Sequence, residues 1–135
     1  MIGKYEDLYP LRIGTITGSK YFPRFDSDTK LNLYSCSNSE SNFKKVMAGR
    51  IDAAAFPESV GIDLIDRMGI KGYVVAANYR FVGEKHVYFG ISKKSWLMDS
   101  IQTVEETIRS MIESGELKQV IVKHYMDRGL PIPAM

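Results

Sequence analysis

The sequence predicts an α/β fold: a mixed or mainly parallel sheet with helices on both faces, making three layers. Three observations carry this. Short apolar or alternating runs rich in branched residues end at turn signals. Longer stretches with apolar residues three and four apart lie between them. The resulting order of strand, helix, strand, helix, strand favours parallel pairing with helices packed on the sheet.

Taken along the chain, "LRIGT" (residues 11–15) predicts a buried first strand that leaves into the turn of "GTITGS". "SKYFPRFDSD" predicts a loop or a short irregular helix broken by Pro23. "KLNLYSC" (residues 30–36) alternates polar and apolar side chains, which predicts a second strand with one covered face. In "SNSESNFKKVMAGR", Ser39 or Ser41 caps a helix whose apolar side carries Phe43, Val46 and Met47 and which ends at Gly49. "IDAAAF" follows as a strand whose small side chains let a neighbour come close.

"ESVGIDLIDRMG" places Val60, Leu64 and Met68 on one stripe, with Ile65 beside it and Gly69 as terminator, and reads as a helix. "KGYVVAA" then reads as a strand. A connection over residues 82–85 leads to a strand over residues 87–91. The chain ends in two helices. The first, residues 99–114, aligns Ile101, Val104, Ile108, Met111 and Ile112; the second, residues 116–128, buries Leu117, Val120, Ile121 and Tyr125.

With 135 residues, 44% of them hydrophobic and 25% charged, the chain is long enough for a real core and fits one domain. A formal charge of +2, with basic residues scattered, points to neither nucleic acid nor an anionic membrane surface. Its single cysteine, Cys36, rules out a disulfide scaffold and leaves the redox compartment open. No apolar run approaches the roughly 20 residues of a membrane-spanning helix. "MIGKYEDLYP" lacks the order of a signal peptide, which is compatible with a mature or excised piece of something longer.

No catalytic set, cofactor motif or metal motif is visible. His86 and His124 have no close ligating partner, and Cys36, at a strand end, has nothing nearby in sequence to lower its pKa. "GTITGS" lacks the spacing and the Lys-Ser/Thr ending of a phosphate loop. The stretch "TGSKY" (residues 17–21) admits two readings. It is either a plain strand-to-helix turn, or a turn that presents backbone N–H groups and a hydroxyl to an anion such as a carboxylate. The acidic clusters Asp26 with Asp28 and Glu105 with Glu106 read as solvated faces. Tyr73, Tyr79, Tyr88 and Phe89 read as core and edge packing.

Four segments in order, "LRIGTITGS", "NFKKVMAGRIDAAAF", "VYFGISKKSWL" and "SMIESGELKQVIVKHY", resemble extracellular solute-binding protein family 3, which serves polar amino acid uptake. The resemblance runs from about residue 7 to residue 127. It implies one lobe of a type II periplasmic binding fold: residues 8–82 as a lobe-two-like α/β domain, and residues 83–130 as a returning strand and C-terminal helices that belong to lobe one. The N-terminal part of lobe one, with the arginine that clamps a ligand carboxylate, would then lie outside this chain.

The resemblance further implies a non-catalytic solute-binding or ligand-sensing domain for a small polar molecule, an amino acid or a carboxylate. The parent would be periplasmic or extracytoplasmic, with an ABC transporter permease or a sensor as partner. Family members meet the carboxylate with the Gly-Ser/Thr turn, which falls on Gly18, Ser19 and Lys20 after the backbone of Ile16, with Tyr21 following. They hold the ammonium with an Asp whose position is Pro57 here, between Phe56 and Glu58. Proline offers neither charge nor N–H, so either Glu58 takes over or the site holds something other than an ordinary amino acid. The alternative function is an interaction module of the same fold that binds no ligand and assembles as a dimer or by strand exchange through the missing-lobe surface. An enzyme is the least favoured reading, because no acid and base pair accompanies Ser19 or Glu58.

Overall fold

The computed structural model describes residues 1–83 and 90–135. They form two compact units, one of Met1–Val82 with Pro133–Met135 and one of Gly83–Ile132. The first unit is α/β. Its strands β1 (Arg12–Ile16), β2 (Asn32–Cys36) and β3 (Ala53–Ala54) form a parallel sheet in the order β2-β1-β3. Ile13 lies opposite Leu33 on one side and Ala53 on the other. The helices of this unit are α1 (Pro23–Ser27), α2 (Ser39–Met47) and α3 (Glu58–Arg67).

Successive side chains of a strand point to opposite faces, and β1 uses this to build two different layers. Ile13, 2% exposed, joins Tyr5, Leu8, Phe25 and Leu31 in one buried cluster. That places α1 and the 3-10 turn Tyr5–Leu8 on its face. Gly14 points the other way and has no side chain. A Cβ there would stand 2.6 Å from both Asn42 Oδ1 and Ile51 Cδ1, so the glycine is what lets α2 reach the central strand. Asn42 is fully buried and donates through Nδ2 to the Thr15 carbonyl at 3.0 Å. Its Oδ1 is buried without a hydrogen-bond partner among the described residues, in the space that a side chain at position 14 would occupy. Beyond α2, Phe43 packs with Leu64 of α3 and with Ile70 in a second cluster.

At the start of the sheet, Asp52 ties β3 to β1. One carboxylate oxygen accepts the Arg12 backbone N–H at 2.8 Å and Arg12 Nε at 3.0 Å, and the other accepts Arg12 Nη2 at 2.8 Å. The same guanidinium donates to the Gly49 carbonyl at 2.9 Å. These bonds from Arg12 hold the Asp52 carboxyl down at about 2. On the far face, Tyr5 and Tyr9 both donate to Asp28, at 3.0 and 3.1 Å, and Arg24 lies over the Tyr5 ring. Burial, with that donation, pushes the Tyr5 phenol up to about 12.

Several expectations need correction. Pro23 starts α1 rather than breaking a helix, since a first-turn position needs no N–H. Asn38, not Ser39 or Ser41, caps α2, accepting the Ser41 N–H at 2.8 Å. β2 has no covered face, because it is the edge strand and Leu33 and Tyr34 are both exposed. Asp26 and Asp28 are not merely solvated, since Asp26 accepts the Tyr21 N–H. "KGYVVAA" forms no strand: residues 71–73 make a turn, and Tyr73 and Val75 are 78% and 83% exposed. A two-residue β3 gives that run too short an edge to pair with. Of the strand expected over residues 87–91, residues 87–89 lie outside the described residues, as do Tyr88, Phe89 and His86; Gly90 and Ile91 are irregular.

The second unit contains a 3-10 turn, Trp96–Ser100, and the helices α4 (Ile101–Glu113) and α5 (Glu116–Asp127), which contact each other. Ile101, Val104, Ile108 and Met111 of α4 are half-buried, and no α4 residue is fully buried. Ile112 and Val120, expected on the inner faces, are 60% and 53% exposed. Tyr125 alone in α5 is buried. No helix among the described residues is long and apolar enough to cross a membrane.

Gly14→Ala overpacks the α2 seat and lowers stability by about 1–3 kcal/mol; in an Asn42→Ala background the penalty shrinks, because Oδ1 and Cγ of Asn42, two of the three clashing atoms, are gone. Urea unfolding midpoints of the four variants in the cycle measure this. For Asp52, the folded carboxyl titrates at about 2 against an ordinary 3.8. The unfolded state therefore binds the proton first as pH falls, and the clamp's stabilisation is complete above 3.8 and lost through the window down to about 2. Asp52→Asn is expected to lower stability at neutral pH and to flatten the acid decline across that window, read from thermal midpoints against pH.

Candidate functional site

From β1 the chain moves to β2 on one side, and after β2 it crosses over to β3 on the other. The direction of travel thus reverses between β1 and β3, and in open parallel sheets ligands meet the carboxyl ends of the strands at such a point. β1 ends at Ile16 and β3 at Ala54, with the Ala55 N–H donating to the Gly14 carbonyl at 2.9 Å. All seven candidate residues lie at or just past these two strand ends: Ile16 closes β1 and Gly18, Ser19, Lys20 and Tyr21 follow it, and Phe56 and Glu58 follow β3.

The loop after β1 is a tight turn. The Ser19 N–H donates to the Ile16 carbonyl at 3.0 Å, and Gly18 has φ of +78°, a left-handed conformation that favours glycine. The Thr17 N–H donates to the Cys36 carbonyl at 2.9 Å, which anchors the loop to β2. The Ile16 N–H donates to the Tyr21 hydroxyl at 2.9 Å, so Tyr21 folds back over the strand end. Burial pushes the Tyr21 phenol up, against the opposing effect of that donated bond. The Tyr21 N–H in turn lies 3.1 Å from each oxygen of Asp26.

The Ile16 and Ser19 amides are thereby committed within the loop. Those of Gly18 and Lys20 take up no hydrogen bond among the described residues, and Lys20 has no ion pair among them. What the turn offers an anion is two N–H groups, the Ser19 hydroxyl and the Lys20 ammonium.

On the β3 side, Phe56 stacks on Phe43 with centroids 4.8 Å apart and planes 11° from parallel, so one ring face belongs to the core. Pro57 is the residue before α3 and leads the chain into its first turn. Glu58 opens that helix with both oxygens engaged: Oε1 pairs with Arg80 Nη1 at 2.8 Å, and Oε2 accepts the Ala134 N–H at 2.9 Å.

A separate open groove of about 800 Å³ lies between the first turns of α2 and α3, with Ser39, Ser41, Lys44, Ser59 and Arg67 among its walls. None of the seven candidates lines it. In the sequence Ser39 and Ser41 read as helix-cap candidates, and no pattern marked the five residues as a group. Arg67 is paired with Asp63 at 2.9 Å, and Glu40 and Asp63 also place carboxylates in the groove's walls. Among the described residues, no group of three or more His, Cys, Asp or Glu side chains is placed to hold a metal ion. Cys36 is half-buried and donates to the Asn38 carbonyl, and His124 lies exposed on α5 beside Arg128.

No family model matches this chain, and comparison with curated proteins and with solved structures finds no similar protein.

Proposed function

We propose that the first unit is a non-catalytic binding module for a small polar solute that carries a carboxylate, an amino acid or a simple carboxylic acid. The observation that supports this is the turn after β1. Its Gly18 and Lys20 amides and its Lys20 ammonium, without partners among the described residues, stand at the reversal point of a parallel sheet, where a carboxylate gains charge-assisted hydrogen bonds. The resemblance to solute-binding family 3 points the same way. In this reading the chain supplies lobe two, its parent works outside the cytoplasm, and an ABC transporter permease or a sensor receives the signal of closure.

One lobe offers only one wall of a cleft, whereas good small-molecule sites bury 70 to 90% of the ligand. The chain by itself therefore binds weakly, with a Kd on the order of 1 mM, about 4 kcal/mol of binding free energy. A titration followed by amide NMR, with acetate, succinate and a panel of amino acids, is expected to move the Gly18, Ser19 and Lys20 signals saturably. If no compound in the panel moves them, or if saturable shifts fall on the α2–α3 groove instead, the proposal is wrong.

A further inference from the structure

We propose that Arg80 sets the specificity of this site: by neutralising Glu58 it makes the site accept carboxylates that carry no ammonium group and disfavour amino acids. The inference rests on the binding reading above and narrows its substrate class.

An α-ammonium brings a full positive charge and three donors, and its desolvation needs a carboxylate or several acceptors in return. Two carboxylates are tied to the ends of β1 and β3, Asp26 of α1 through Tyr21 and Glu58 at the start of α3. Asp26 is turned onto the Tyr21 N–H with both oxygens at 3.1 Å. Glu58 has one oxygen on Arg80 at 2.8 Å and the other on the Ala134 N–H at 2.9 Å. Pro57, between β3 and α3, supplies no charge and no N–H. The opening turn of α3 adds the positive end of a ten-residue helix at the same place.

The remaining charge is cationic. Lys20 is unpaired among the described residues, and Arg80 keeps a half-exposed guanidinium beside Glu58. An ammonium that approaches Glu58 must displace Arg80 or sit next to it. A carboxylate finds donors in the Lys20 ammonium and the Gly18 and Lys20 amides, and the oxygens of Asp26 and Glu58 are already engaged. Arg80 comes from the segment after α3, far in sequence from either strand end, so no local motif announces it.

Succinate and L-aspartate make the test, because they differ only by the α-ammonium. In the full chain, followed by the Gly18 and Lys20 amide signals, succinate is expected to bind about tenfold more tightly than L-aspartate, the effect of one displaced exposed ion pair and one lost bond to a charged group. Arg80→Gln is expected to cut that ratio to about threefold or less by releasing Glu58, and Arg80→Lys, which keeps the charge, to restore most of it. A ratio near unity in the unaltered chain overturns the inference while the binding reading stands, as does a folded Arg80→Gln variant with an unchanged ratio. If neither compound moves the two amides, the binding reading falls and the inference with it. Arg80 is exposed, so a thermal midpoint close to that of the unaltered chain verifies the fold of each variant; should Arg80→Gln not fold, the ratio in the unaltered chain decides.

Discussion

The first unit hangs on one contact, the fit of Asn42 against Gly14. A strand residue with any side chain at position 14 would hold α2 away from the sheet, since a Cβ there meets Asn42 and Ile51 at 2.6 Å. With glycine, α2 drops onto β1, the Asn42 amide reaches the Thr15 carbonyl, and Phe43, one residue on, is set into the cluster with Leu64. The cost is a buried Oδ1 without a conventional partner, and a polar group buried in this way is expensive unless the geometry around it is fixed. That expense also makes the arrangement selective. A slip of one residue in β1 would put Ile13 or Thr15 where only a hydrogen fits.

Around that seat the charged groups act by direction more than by strength. The Arg12–Asp52 clamp is exposed, and exposed pairs contribute little free energy. Yet its bonds run from both the backbone and the side chain of Arg12 to one carboxylate, which fixes where β3 begins relative to β1. β3 is only two residues long and makes few ladder bonds of its own, so this outside tie matters to its register. The same register determines that Glu58 and the Gly18 turn emerge from adjacent strand ends. The candidate site is thus a consequence of how the sheet is pinned, first at Gly14 and then at Asp52.

Much of this was legible in the residues. β1, β2 and the four longer helices announce themselves by period and by their terminating glycines, and the α/β class follows from their order. The failures share a physical cause: local patterning does not reveal which partner a segment will find. "KGYVVAA" has the composition of a strand but meets a two-residue edge. β2 alternates as if half-covered but stands at the sheet margin. The site divides along the same line. The turn at Gly18 is visible from the Gly-Ser pair alone, whereas the commitment of Glu58 to Arg80 and Ala134 joins residues 22 and 76 positions apart. No short-range pattern could show it. Asn42 hides for a related reason, because a polar residue inside an amphipathic helix reads as solvent-facing unless the glycine opposite it is known.

The Asn42–Gly14 seat holds the strand end on which the candidate site is built. Native-state hydrogen exchange of the Ile16, Thr17 and Ser19 amides, compared between the unaltered chain and Asn42→Ala, tests it most directly. These amides are expected to lose protection in the variant along with the rest of β1 and by a similar factor, because the strand end is supported through the seat. Unchanged protection at Ile16, Thr17 and Ser19 while β1 residues near Gly14 are loosened would contradict it, and would mean that the Tyr21 hydroxyl and the Cys36 carbonyl hold the site on their own.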